Sequence, residues 1–314
     1  MVPSAFDRLA DQRNVLVVLL SAAAGLLVPG PERYTSILLT PLVIFLVYGS
    51  IRGLSLAKVD LGSIGLPVAL SLGLGYVLLP LVGLPVAGLV LPDPALTGVA
   101  ITLAVPTTAG SAIVWTRFSR GDAQLAAIVS IVSILLAPIA TPLLLLFLVG
   151  HRGGVPVRSI LADVLLIVGV AVVLSRAVPD AALSERTTEY GSGVAIACII
   201  YTGVAGADPA TVSARTVVGL VAVSVAILGL GLGMAYAAGR YYDLGRRRIL
   251  PIFFAGSFKN LGIALLIAAG YASGLAVLAI ITYYVVEQLT GAVIADLAGS
   301  RPGEPEPEPQ PRSP

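Results

Sequence analysis

The sequence predicts an all-α polytopic membrane protein: ten transmembrane helices arranged as 5+5 inverted repeats, with discontinuous helices four and nine crossing each other. Three observations carry this. The chain is 57% hydrophobic and only 11% charged, against the roughly 25% charged residues of a typical soluble domain. Apolar segments of ~20 residues, each long enough to cross a ~30 Å hydrocarbon core, recur along nearly the whole length. Two of these segments, at matching places in the two halves, are interrupted by Pro, Gly and small polar residues.

The spans run 14–30, 35–51, 64–90, 95–117, 122–149, 158–177, 190–206, 214–239, 249–270 and 273–296. The third and fifth exceed what a crossing requires and are expected to tilt or reach into the interface. The organisation is a cytoplasmic N-terminus (1–13), a first five-helix repeat (14–149), a linker (150–157), a second repeat (158–297) and a tail (298–314). The tail, RPGEPEPEPQPRSP from Arg301, is Pro/Glu-rich and is expected to be disordered. Residues 4–13 are mixed in charge and the first apolar run lacks a cleavage site, so a cleaved signal peptide is not expected.

Basic residues fix the orientation. With the N-terminus in the cytoplasm, inner segments carry Arg8, Arg13, Arg52, Lys58, Arg117, Arg120, Arg176, Arg186, Arg240, Arg246, Arg247, Arg248, Arg301 and Arg312. Outer loops carry only Arg33, Arg152, Arg158 and Arg215. This bias places both termini in the cytoplasm of a plasma-membrane protein. Only the fifth-to-sixth loop, HRGGVPVR, runs against it. Because each half has five spans, the second enters the bilayer from the opposite side.

Span four is interrupted by Pro106-Thr107-Thr108-Ala109-Gly110-Ser111, and span nine by Gly256-Ser257-Phe258-Lys259-Asn260. Interrupted helices at matching positions of two inverted halves point to a transporter's binding site near the bilayer midplane. Pro106 has no N–H to donate, so carbonyls are released there. Hydroxyls such as Thr107, Thr108 and Ser111, or a wet cavity, must satisfy them. Half-helix N-termini suit an anionic group on a solute, and half-helix C-termini suit a cation. Lys259, deep in an apolar run, costs at least ~3 kcal/mol to insert. The other deep charge is Glu287, in YYVVEQLTG of span ten, expected within ~5 Å of Lys259 in depth. Two readings of this pair stand at this point: a structural ion pair between helices, or a charge that works in a solute pathway. For Pro106 a plain kink stands beside the functional reading. The candidate substrate-binding or coupling residues are Lys259, Asn260, Ser257, Gly256, Pro106, Thr107, Thr108, Ser111 and Glu287.

Other features exclude function classes. No basic cluster interleaved with aromatics marks a nucleic-acid partner. Cys198 is the only cysteine, so no intramolecular disulfide or cysteine metal site exists. His151 is the only histidine and forms no ligand cluster or Ser-His-Asp arrangement. The GLGLG run around Gly229, Gly231 and Gly233 follows no strand, so it is a close-packing surface rather than a dinucleotide loop. Trp115 reads as a packing or interface residue.

The stretch 105–148, VPTTAGSAIVWTRFSRGDAQLAAIVSIVSILLAPIATPLLLLFL, resembles spans four and five of the bile acid:sodium symporter superfamily. The shared features are a Pro with small hydroxyl residues, an Arg-Gly-Asp turn, and a Ser-rich helix ending in Leu-x-Pro-x-x-Thr-Pro-Leu. FAGSFKNLGIALLIAA resembles the span-nine signature, and the similarity covers about 14–297. The resemblance implies a panel domain of spans one, two, six and seven and a core domain of the other six. Solute would bind between them, with alternating access.

The departures bear on coupling. Sodium-coupled members carry Glu and Gln where this chain has Ala255 and Lys259, a Ser-Asn pair where it reads Ser111-Ala112-Ile113, and a span-three glutamine near Gly75. Asn260 and Ser130 are retained, which adds Ser130 to the candidate substrate-binding or coupling residues and leaves a reduced sodium site at Ser111, Ser130 and Asn260. An ammonium at the cation site would replace bound Na⁺ electrostatically; some branches of the superfamily carry Lys or Arg there.

The expectation is a secondary active transporter of a small organic anion, not strictly sodium-dependent, with H⁺ or Na⁺ as the coupling ion. An auxin-efflux-like carrier or a cation/proton antiporter is the alternative in the same architecture. An intramembrane enzyme or sensor is the other class, but neither a catalytic constellation nor a soluble output domain is in the sequence. No cofactor is expected, and the partners are the solute and the lipid bilayer.

Overall fold

The structure, a computed structural model, describes residues 13–28, 36–52, 61–150, 157–179, 182–205, 213–272 and 274–299. Residues 1–12, the loop residues Arg33, Lys58, His151 and Arg152, and the tail from residue 300 lie outside the described residues. Among the described residues every regular element is helical and there is no β-strand.

Helix α1 (Arg13–Leu27) is followed by α2 (Leu39–Ile51) after a 3₁₀ turn at Ser36–Leu38. Then α3 (Leu61–Gly73), a π-helical turn (Leu74–Leu78) and α4 (Leu79–Gly88) run on as one rod. The π turn has a local cause. A proline ring clashes with the carbonyl four residues earlier, and Pro80 stands in the first turn of α4. Widening the helix there lets Leu79 N–H reach back five residues to the Leu74 carbonyl. In that register the donor to the Gly75 carbonyl would be residue 80, which has none.

Next come α5 (Asp93–Ala104), α6 (Ala109–Phe118) and α7 (Ala123–Val149), the last capped by the Asp122 carboxylate accepting from Leu125 N–H at 3.0 Å. The second half holds α8 (Val157–Ala177), α9 (Glu185–Ala205), α10 (Ala214–Tyr241), α11 (Arg246–Ser257), α12 (Leu261–Tyr271) and α13 (Gly274–Gly299). Ser213 caps α10 by accepting from Thr216 N–H at 3.1 Å.

Among the described residues, five helices are long and apolar enough by length and composition to cross a membrane: Ile64–Gly88, Ala123–Val149, Arg158–Ala177, Ala214–Tyr241 and Gly274–Ala298. Their outer faces present Leu143, Phe147, Val173, Val218 and Val293 to the surroundings, an apolar surface suited to lipid. By contrast α5, α6, α11 and α12 have 12, 10, 12 and 11 residues. At 1.5 Å per residue each spans roughly 15–18 Å, about half a hydrocarbon core, so each cannot cross alone.

The breaks follow from local chemistry. Val105, forced extended by the proline after it, ends α5 with φ −76° and ψ 159°. Phe258 ends α11 in extended conformation, and Asn260 restarts α12 by accepting from Ile263 N–H at 3.1 Å.

Buried apolar side chains form two clusters. One contains residues of the π turn, α4 to α7, α10, α11 and α13, with partly buried residues of α3 packed against it and none from α1, α2, α8 or α9. The other gathers α1, α2, α8 and α9 around α12 and the adjoining faces of α5, α7 and α13. Where α5 meets α13 the backbones touch. A Cβ on Gly98 would lie 2.7 Å from the Ala276 Cα.

Gly98→Ala should therefore force α5 and α13 apart and cost about 1–3 kcal/mol, the usual scale of overpacking. Thermal unfolding of the detergent-solubilised protein checks this, with Gly233→Ala as the control. Gly233 has open space where its Cβ would go, so that midpoint should stay level or rise slightly.

Candidate functional site

Breaking two helices releases backbone groups that hydrocarbon cannot satisfy. Here the two breaks satisfy each other. Asn260 N–H donates to the Pro106 carbonyl at 2.8 Å and Thr108 N–H to the Phe258 carbonyl at 3.3 Å. Thr107 and Lys259 thus face one another as a single antiparallel bridge. The Thr107 hydroxyl adds a bond to the Ala255 carbonyl at the end of α11.

The remaining groups draw on helices outside the crossing. Thr107 N–H donates to the Ser133 hydroxyl of α7 at 2.9 Å, and Tyr76 reaches the same hydroxyl at 3.0 Å. Thr141 donates to the Ala104 carbonyl at 2.9 Å, and Tyr283 to the Ser257 carbonyl at 2.9 Å. Lys259 supplies the rest. Its ammonium donates to the carbonyls of Gly75 (2.7 Å), Leu103 (3.2 Å) and Val105 (3.4 Å) and lies 5.4 Å from the centre of the Tyr76 ring. The Gly75 carbonyl is the one that Pro80 left without a donor. Lys259 is only 3% exposed.

Glu287 is fully buried beside it. The sequence left a Lys259–Glu287 ion pair open; the ammonium instead bonds carbonyls. The carboxylate accepts from the backbone N–H of Lys259 at 2.8 Å, from the Ser111 hydroxyl at 3.4 Å and from the Gln288 amide at 3.1 Å. Gln288 is held in turn by the Trp115 indole N–H at 3.0 Å. So Glu287 ties α13 to the backbone of one break and to the first turn of α6, which has no side-chain cap of its own.

Of the predicted residues, Pro106, Thr107, Thr108, Ser111, Lys259, Asn260 and Glu287 share this network. Gly256 lies against α3, where a Cβ would meet Leu74 and the Ser71 carbonyl; a Cβ on Gly75 would sit 2.7 Å from the Gly256 carbonyl. Ser257 faces Gly231 of α10, and its hydroxyl is buried with no partner. Gly229 and Gly233 face open space, so of the GLGLG glycines only Gly231 is a close-packing position. Ser130 is buried in α7 with its hydroxyl bonded to its own helix at Ala126.

Sequence reasoning missed Tyr76, Ser133, Thr141, Tyr283 and Gln288. Gln288 had a signal, being polar and adjacent to Glu287. The others are hydroxyls in apolar helices, where a residue bonding its own helix looks the same as one serving a neighbour. Between α12, α13 and Thr102 lies a cavity of about 10 Å³ lined by Lys259, Asn260, Tyr283, Tyr284 and Glu287 among others. That volume admits about one water. Among the described residues no group of His, Cys, Asp and Glu is placed to hold a metal ion.

A family model described as the SBF-like CPA transporter family matches residues 15–299. No curated protein matches the chain.

Glu287→Ala should leave the Lys259 N–H without an acceptor and cost about 1–3 kcal/mol, the range for an unsatisfied buried group. Glu287→Gln keeps an oxygen to accept that bond and should cost less. Unfolding midpoints of the two purified variants against the parent read the difference.

Proposed function

Because the chain belongs to the SBF-like CPA transporter family, we infer that this integral membrane transporter is a secondary active carrier of a small organic anion. The observation that carries the reading is the buried Lys259 ammonium at the junction of two interrupted helices. A fixed cation there offers charge to an anionic solute arriving from either side, and the uncapped first turn of α6 adds partial positive charge.

Ten spans in two inverted halves follow if α3–π–α4, α5–α6 and α11–α12 each cross once. Both termini and the loops with Arg117, Arg120 and Arg246 to Arg248 then lie in the cytoplasm of a plasma-membrane protein. Except at α12, whose buried residues pack with the panel helices, the buried clusters support this reading's division of the spans into a core of α3 to α7 with α10 to α13 and a panel of α1, α2, α8 and α9. Solute passes between them as one moves against the other. The small cavity at the crossing fits a closed state of that cycle.

Coupling does not strictly require sodium in this reading. Sodium needs several oxygen ligands, and two of the three candidates are engaged within their own helices: Asn260 caps α12 and Ser130 bonds Ala126. The Gly75, Leu103 and Val105 carbonyls surround an ammonium that stands where a bound cation would. Proton coupling or exchange takes sodium's place. One observation favours a second reading, a cation/proton antiporter: Glu287 is a buried carboxylate at the crossing. A pH-sensitive dye in proteoliposomes separates them, since an antiporter moves protons against Na⁺ or K⁺ with no organic anion present.

Uptake of labelled carboxylates into proteoliposomes should be nearly unchanged when Na⁺ is replaced by K⁺ or choline. A steep Na⁺ dependence would mean that the hydroxyl and amide oxygens still hold the ion.

Lys259→Gln should insert and fold, because it removes a charge from the membrane interior, yet lose at least about tenfold in substrate affinity, the scale of one charge-assisted bond. Its transport should also lose the parent's pH dependence. If the variant transports like the parent at every pH, Lys259 is a structural tie alone.

A further inference from the structure

The turns α6–α7 and α10–α11 meet at the end of the protein that bears Arg246 to Arg248. They enclose an open-sided pocket of about 490 Å³ lined by Asp122, Asp243, Leu244, Gly245, Arg247 and Arg248. The pocket is framed by backbone. Asp122 N–H donates to the Arg247 carbonyl at 2.9 Å, which locks one turn onto the other. Leu244 N–H closes the end of α10 on the Gly239 carbonyl at 2.7 Å. Asp243 sits in the left-handed region, φ 51°, which Asp tolerates better than most residues. One Asp122 oxygen is committed to capping α7.

The frame holds charges of both signs around one space. Among the described residues, no ion pair joins Arg247 or Arg248 to Asp122 or Asp243. Here one Asp122 oxygen is held by a helix cap, and the Asp243 backbone is set in a left-handed turn. The set therefore matches a ligand that carries both signs itself, an anionic oxygen group for the guanidinium groups and an ammonium for the carboxylates.

The position selects the source of that ligand. Helix α10 has 28 residues, about 42 Å at 1.5 Å per residue, which exceeds a ~30 Å hydrocarbon core. Its last turn and the turn after it stand at headgroup level. Tyr241 and Tyr242 mark that level, 82% and 46% exposed with rings packed edge to face 4.9 Å apart, as aromatics do at membrane interfaces. We propose that this pocket is a headgroup site for phosphatidylethanolamine, whose phosphodiester would bind Arg247 and Arg248 and whose primary ammonium would bind Asp243 and the free oxygen of Asp122. Phosphatidylcholine has no ammonium N–H to donate. Phosphatidylglycerol has no cation and faces two carboxylates.

The test is native mass spectrometry of the full-length protein with phosphatidylethanolamine, phosphatidylcholine, phosphatidylglycerol or soluble glycerophosphoethanolamine of matched concentration. The parent should retain phosphatidylethanolamine about tenfold better than phosphatidylcholine, the effect of one charge-assisted hydrogen bond. Arg247→Gln with Arg248→Gln should abolish that retention. Asp243→Asn should bring the two lipids close to parity while phosphate binding persists. All four positions are at the surface, and an unchanged melting profile establishes that each variant is folded. Phosphatidylglycerol binding as well as phosphatidylethanolamine would reduce the pocket to a basic patch and overturn the proposal. So would a preference that survives both sets of substitutions. Glycerophosphoethanolamine binding as tightly as the lipid would make the ligand a soluble one, which also overturns it.

Discussion

A carbonyl without a donor is costly anywhere in a protein, and in hydrocarbon it has no water to fall back on. Two broken helices put several such carbonyls in the middle of this molecule, and the arrangement around them follows from finding each a donor. The breaks solve part of the problem by lying across one another, so that Asn260 N–H and Thr108 N–H each close a carbonyl of the opposite break. What they cannot supply comes from Thr141 of α7, from Tyr283 of α13 and from Lys259. The packing of α7 and α13 against the crossing is thus specified by polar bonds as well as by fit.

The same accounting changes how the two buried charges are understood. Lys259 and Glu287 are neighbours, but each is occupied with other groups: the ammonium with three backbone carbonyls, the carboxylate with one backbone N–H and the side chains of Ser111 and Gln288. A structural role and a transport role are then not alternatives. The groups that hold the crossing together are the ones whose bonds must change if the proposed core and panel move past one another. In the proposed reading, the ammonium in its ring of carbonyls would supply electrostatically what a bound metal cation supplies elsewhere, without an ion to load or release.

Much of this was legible in the sequence, for identifiable reasons. Apolar length gave the helices, and Pro106 and the Gly-Ser-Phe-Lys-Asn run gave the places where two of them stop. The boundaries that moved did so where hydropathy is blind. Helix α9 begins at Glu185 rather than at 190 because its first turn, ERTTEY, is polar. Ser184 receives Thr187 N–H there as a cap would. Helix α11 likewise begins at Arg246 rather than 249, inside an arginine run. The π turn was not legible, since Pro80 reads equally as a kink. Nor was the destination of the Lys259 ammonium, because backbone carbonyls leave no mark on a sequence. Hydroxyls such as Ser133 and Thr141 are ambiguous for a related reason: Ser71, Thr102 and Ser130 sit in similar apolar runs and bond only their own helix.

The Gly75 carbonyl links a proline to a lysine far along the chain. With Pro80 in place the helix has no N–H for that oxygen, and the ammonium is its donor. Give residue 80 an N–H and the helix can close on itself, leaving the lysine one ligand short. Remove the lysine and the proline's defect lies open in the membrane. Neither change is neutral without the other, so positions 80 and 259 are expected to drift through evolution as a pair. A branch of the family that lacks the lysine should more often have regained an ordinary residue at position 80.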